Sequence, residues 1–265
     1  MNVMSKDKTV KRCTVAKSVL QIAFCLLFGF VLLVSNSKVF ASKGENITAN
    51  GQTVKTAEAQ NAAQPSAPSL RTVTAPVIID RPVRLTEYRQ QLIREYTLLH
   101  YGEAFTEIVP QVVVVHWTEF PEAGGVYDYF YKEAREDGTL NVCSQFLVDR
   151  DGTIFRLTPE TMLDRHAIGY NWCAIGIENV GGIGSKEDLT QKQLQANVLL
   201  IRYLQEKYPT IRYVWGHYQQ TVAKKSGLFR ENVSGYFHGK ADPGPKFMKA
   251  LQKDLKDTGL LFFKP

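Results

Sequence analysis

Q-V-V-V-V-H-W-T, residues Gln111 to Thr118, decides how this chain is read. Four consecutive β-branched valines are too continuous for a half-exposed strand and predict one buried on both faces. The run delivers His116 at its carboxyl end, where open α/β sheets commonly place functional groups. A lone histidine there has two readings: a core imidazole satisfied by a backbone carbonyl, or a working side chain.

Working outward, the flanking elements alternate between helix and strand. On the N-terminal side, Leu85, Tyr88, Leu92, Tyr96 and Leu99 recur at helical spacing, and Gly102 stands where the helix would stop. On the other side, Pro121, Gly124 and Gly125 mark a loop, and Val126 to Arg135 predicts a short helix closed by Gly138. Val142 to Val148 and Thr153 to Leu157 flank the turn residues Asp149-Arg150-Asp151-Gly152, which is a hairpin pattern. Ala174 to Glu178 reads as another buried strand ending in a carboxylate. Thr190 and Gln193 have capping-box spacing, and Leu194, Val198, Ile201, Leu204 and Tyr208 continue a helix that Pro209 ends. Ile211 to Trp215 predicts a strand running into Gly216-His217, and Phe247, Met248, Leu251 and Leu255 a last amphipathic helix. This order predicts one α/β domain from about residue 72 to the C-terminus, a central mixed β-sheet flanked by helices.

The 265 residues are 44% hydrophobic, enough for one substantial core with appendages. A net charge of +6 suggests nucleic acid until it is located. Lys6, Lys8, Lys11, Arg12, Lys17 and Lys38 face only Asp7 within residues 1–41, so the remainder carries only +1 and no nucleic-acid footprint is expected. The basic residues precede an apolar run from Val19 to Val34 and a V-F-A-S segment, which reads as an export signal cleaved after Ala41. An uncleaved anchor is the alternative, and would be the only contact with a membrane. Residues 42–71, rich in Ala, Gln, Asn, Thr and Ser, read as a disordered tether. The expected location is outside the cytoplasm, in the periplasm or envelope, or secreted. There Cys143 and Cys173 either pair or remain separate buried thiols.

Three apolar strands thus end in His116, Glu178 and His217, and a turn presents Lys240-Ala241-Asp242-Pro243-Gly244. Two histidines and an aspartate would supply three zinc ligands and leave the fourth position to water, as catalytic zinc requires. Each residue also has a plain reading: Glu178 as a cap or surface ion pair, Asp242 as turn chemistry, Lys240 as a solvated lysine.

As an ordered set, H-W-T at 116–118, S-Q-F-L-V-D-R-D-G-T-I at 144–154, R-H-A-I-G at 165–169, N-W-C-A-I-G-I-E at 171–178, G-H at 216–217 and K-A-D-P-G-P at 240–245 resembles the zinc-dependent N-acetylmuramoyl-L-alanine amidases. That family also includes phage lysozyme-type amidases and the peptidoglycan recognition proteins. The resemblance implies one Zn2+ per chain held by His116, His217 and Asp242, Glu178 as acid/base and Lys240 as a transition-state helper. It further implies peptidoglycan or muropeptides as partner, with His166 and Asn171 at positions that line the groove, although either could equally serve a loop's hydrogen-bond network; Trp117 reads as an aromatic of the groove wall or of the core. The chemistry is coherent, because zinc lowers the pKa of a bound water to about 7 and polarises an amide carbonyl. A non-catalytic peptidoglycan-recognition protein is the alternative.

Two features depart from the pattern. Gln145 stands where many relatives carry histidine. The segment between His217 and Asp242, 24 residues, is longer than in compact relatives; Phe229, Tyr236 and Phe237 would be available to substrate as part of a loop over the groove, with His238 a competing ligand.

Overall fold

The valine run forms the centre of the sheet. In the computed structural model, which describes residues 75–264, β2 (Val112–Val115) is fully buried and lies between two parallel neighbours, β5 (Ala174–Asn179) and β6 (Tyr213–Gly216). Beyond β5 come β3 (Phe146–Val148), β4 (Ile154–Arg156) and the edge strand β1 (Ile78–Asp80), giving the order β1-β4-β3-β5-β2-β6. Only the β3–β4 hairpin is antiparallel, so the sheet is mixed. Four α-helices flank it among the described residues, completing a single mixed α/β domain. The expected export signal (1–41) and tether (42–71) lie outside the described residues. No helix among those described is long and apolar enough to cross a membrane.

Strand alternation sorts the core into two faces. Val113, Val115, Ile175, Ile177 and Val214 pack with Leu200, Ile201 and Leu204 of α3 (Gln191–Lys207) and with Met248 and Leu251 of α4 (Pro245–Asp254). The intervening residues Val112, Val114, Ala174 and Trp215 face the other way, onto Ala167, Tyr170 and Ala223. Each fully buried aliphatic side chain contributes roughly 1.5–3 kcal/mol. Helix α3 starts with both bonds of the expected capping box: Thr190 Oγ1 accepts from Gln193 N, and Gln193 Oε1 accepts from Thr190 N.

Two helices differ from their expected form. Helix α1 (Glu87–Tyr101) ends at Gly102 as predicted, in a left-handed conformation, but its buried face is Arg89, Leu92, Ile93, Tyr96, Thr97 and His100. Leu85 precedes the helix, and Tyr88 and Leu99 are exposed. The cause is polar: Arg89 Nη2 donates to Phe130 O in the last turn of α2 (Ala123–Tyr131) and to Lys132 O at its C-cap, where a cation is favoured. That bond draws Arg89 inward and turns the apolar residues beside it outward. Helix α2 starts three residues before the expected Val126 and stops at Tyr131, so Gly124 and Gly125 belong to its first turn. Cys143 and Cys173 are buried free thiols in separate clusters of the core.

Candidate functional site

Register brings the chemistry together. Val115 is aligned with Ile177 on one side and Gly216 on the other, so the next residues, His116, Glu178 and His217, lie abreast at the carboxyl edge in the order Glu178, His116, His217. All three continue the parity of Val112 and Val114, so their side chains leave the sheet on the face opposite α3 and α4. The ladder persists past the strand end, with His116 N donating to Ile177 O at 2.9 Å and Asn179 N to His116 O at 3.1 Å. Asp242 arrives from the turn before α4, where its carbonyl accepts from Tyr218 N at 2.7 Å. Residues scattered over more than a hundred positions thereby share one site.

The three donor atoms nearly touch. His116 Nδ1 lies 3.0 Å from His217 Nδ1 and 3.0 Å from Asp242 Oδ2, and His217 Nδ1 lies 3.2 Å from the same oxygen. His116 and His217 are 2% and 5% exposed, and the Asp242 side chain 13%. Hydrogen bonds alone do not satisfy this triangle. Each imidazole can point one N–H at the carboxylate, but the two nitrogens then face each other without a proton between them. A cation at the centre satisfies all three, and ligands about 2.0–2.1 Å from a tetrahedral zinc stand about 3.3 Å apart. The donor set therefore fits zinc. Burial and the neighbouring His217 push the His116 pKa down to about 4, against the pull of Asp242, which keeps its ring neutral and able to ligate. For Asp242, burial opposes ionisation, but hydrogen bonds from both histidines outweigh it and hold the carboxyl well below its usual range.

Glu178 is poised differently. Its Oε2 is buried and bonds to no other described residue. Burial, reinforced by the negative charge of Asp242 and opposed by Lys240, raises its pKa well above the usual carboxylate value. Lys240 is exposed on the segment leading to Asp242. Together with Trp117, Thr118, Glu119, Arg165 and His166, these groups line a cleft of about 350 Å³. A larger cleft of about 460 Å³ lies around Asp80, Arg156, Glu160 and Lys207, but its charges pair with one another.

The three residues expected in the groove have separate fates. Trp117 lines the cleft with its ring seated on Gly182, where an added Cβ would stand 2.3 Å from the indole. His166 also lines it, but its ring nitrogens are turned toward protein groups. Asn171 does not reach the cleft. It is fully buried, its Oδ1 accepting from His166 N and Ala167 N and its Nδ2 donating to Tyr96 Oη, so it shapes the loop from beneath. Gln145 is likewise buried, bridging Met162 O and Gly176 N. His238 is exposed and apart from the ligand cluster.

The long segment before Asp242 is a packed strap in place of the expected cover over the groove. Phe229 sits on Gly169, Arg230 stacks on Trp172 at 3.8 Å, and Lys224 lies between Phe229 and Phe237 at 4.1 and 4.0 Å. Arg165 donates to Tyr236 Oη, and Glu231 bonds His100 of α1 at 2.8 Å. The aromatics that looked available to a ligand are spent on one another and on the domain. Only Gly239, Lys240 and Ala241 of this segment line the cleft.

The endolysins of Escherichia phage T7 and Enterobacteria phage T3 are each 37% identical over 78 residues, covering 28% of this chain and 52% of each endolysin, so the chain spans about half the length of these curated relatives. Among solved structures, the N-acetylmuramoyl-L-alanine amidase LysC from Clostridium intestinale URNW is 21% identical, with 69% of this chain and 99% of that chain covered and a TM-score of 0.45, too distant to add weight. The sequence profile of the N-acetylmuramoyl-L-alanine amidases matches residues 106–245, more than half of the chain and a span that holds His116, Glu178, His217, Lys240 and Asp242. The chain belongs to the N-acetylmuramoyl-L-alanine amidase family.

Proposed function

We propose that this protein is a zinc-dependent peptidoglycan amidase that cuts the amide joining the lactyl group of N-acetylmuramic acid to the L-alanine of the stem peptide. One observation carries the reading: His116 Nδ1, His217 Nδ1 and Asp242 Oδ2 converge within 3.2 Å at a cleft that Glu178 also lines, its Oε2 buried. When bound by these three residues, zinc supplies a Lewis acid that acidifies a water and polarises a carbonyl. Glu178, with its raised proton affinity, accepts the proton of the attacking water and returns it to the departing amine of L-alanine. Lys240 offers a fixed positive charge to the oxygen on which negative charge develops. Trp117 forms one wall of the cleft and orients the substrate by contact. The N-terminal export signal expected from the sequence would bring the enzyme to this substrate.

Digestion of purified sacculi tests the reading. Mass spectrometry of the products should show free stem peptides beginning with L-alanine and glycan strands left intact. Binding without release would make the protein a recognition module. Cleavage between sugars would place the chemistry at another bond.

A further inference from the structure

We infer that His166 is a positioning residue of the metal site, one that holds His116 in the ligating tautomer through a hydrogen-bond chain ending on the backbone of β5. The inference rests on the zinc reading above and concerns a residue that the sequence left between a groove contact and a loop's hydrogen-bond network.

Both ring nitrogens of His166 are committed. His166 Nδ1 lies 3.1 Å from His116 Nε2, and His166 Nε2 lies 3.4 Å from Ala174 O. With His116 Nδ1 directed at the metal position, the proton of that ring resides on Nε2. His116 Nε2–H then donates to His166 Nδ1, which leaves the His166 proton on Nε2, where Ala174 O accepts it. The assignment is self-consistent with both rings neutral, and no nitrogen of His166 remains for a ligand in the cleft. The two rings stand at 89° with centroids 5.2 Å apart, so His166 braces His116 edge-on and resists its rotation. Partners of this kind orient a ligand and raise its basicity.

The sheet makes room for this brace. Gly176 of β5 faces the His166 ring, and a Cβ there would stand 2.9 Å from Cγ and 3.0 Å from Cδ2 and Cε1. Glycine in a central strand marks a close approach. Here the approaching group is the ring that supports His116.

Competition of the protein with a chromogenic zinc chelator tests the inference. His166→Phe keeps a flat ring but removes the acceptor, and should weaken zinc binding 10- to 100-fold. His166→Asn offers an amide oxygen near the position of Nδ1 and should recover most of the affinity despite its smaller size. Gly176→Ala removes no polar group but displaces the ring, and should weaken binding as well. Wild-type affinity in His166→Phe, or Asn binding more weakly than Phe, would overturn the inference, since shape alone would then explain the residue. Should the Phe variant not fold, long-range 1H–15N correlation on the zinc-loaded wild-type protein decides: His166 is expected as the Nε2–H tautomer, and the Nδ1–H tautomer would overturn the proposal. A wild-type protein that binds no zinc would instead defeat the zinc reading itself.

Discussion

Gly216 stands immediately before His217, and its replacement by alanine should disturb the metal site through Asp242. A Cβ at this position would lie 2.8 Å from Pro243 Cδ, 2.8 Å from Tyr218 Cε1 and 2.9 Å from Met248 Cγ. The Met248 side chain and the Tyr218 ring can turn aside. Pro243 is a rigid ring bonded directly to Asp242, and it must withdraw by roughly 0.7 Å to reach ordinary carbon contact of about 3.5 Å. The bond from Tyr218 N to Asp242 O resists that retreat, so the strain falls on the Asp242 carboxylate. Metal sites tolerate about 0.2 Å in ligand distance. Gly216→Ala should therefore weaken zinc binding about 10- to 100-fold, or about 1.4–2.7 kcal/mol. The overpacking itself should cost about 1–3 kcal/mol of stability. Chelator competition reads the first effect and thermal unfolding of the metal-free protein the second. Zinc affinity within twofold of wild type would refute the claim that this close approach positions Asp242.

Glu178→Gln should retain zinc and lower kcat by about 10²- to 10⁴-fold, as loss of an acid/base group does; steady-state kinetics on muropeptides beside a metal assay separates the two effects. Lys240→Met should lower kcat more than it raises KM, because its charge is wanted on the developing oxyanion, and a change in KM alone would remove it from that role. Away from the site, burial would raise the Glu160 pKa, but Lys207, Tyr208 and Arg156 outweigh it and hold the folded carboxyl below its ordinary 4.5. A depressed folded pKa means that the stability Glu160 contributes is complete above pH 4.5 and is lost as pH falls through the lowered value. Urea unfolding between pH 3 and 5 should thus show a shallower acid loss in Glu160→Gln than in wild type, and equal slopes would count against the assignment.

What could be read from the sequence was local. The valine run, the capping box at Thr190, the hairpin about Gly152 and Gly102 at the end of α1 each depend on neighbours a few residues apart, and each is present. The convergence of His116, Glu178 and His217 followed from three strands ending in polar groups, although only the register shows them abreast. Less visible were features made by distant partners. The inward turn of Arg89 requires the carbonyls at the end of α2, and the half-buried packing of Phe229, Tyr236 and Phe237 requires the strap to close on Gly169 and α1. Strand β1 is three residues at a sheet edge, two of them exposed, and carries no periodic signal. His166 and Asn171 looked alike as polar residues of one loop, and only coordinates separate the brace of His116 from the buried support beneath it.

Elemental analysis of the protein purified without added metal bears most directly on the whole account. One zinc per chain is expected, falling close to zero in His116→Ala, His217→Ala and Asp242→Ala. A metal-free preparation that still releases stem peptides from sacculi, or undiminished zinc in those three variants, would contradict it.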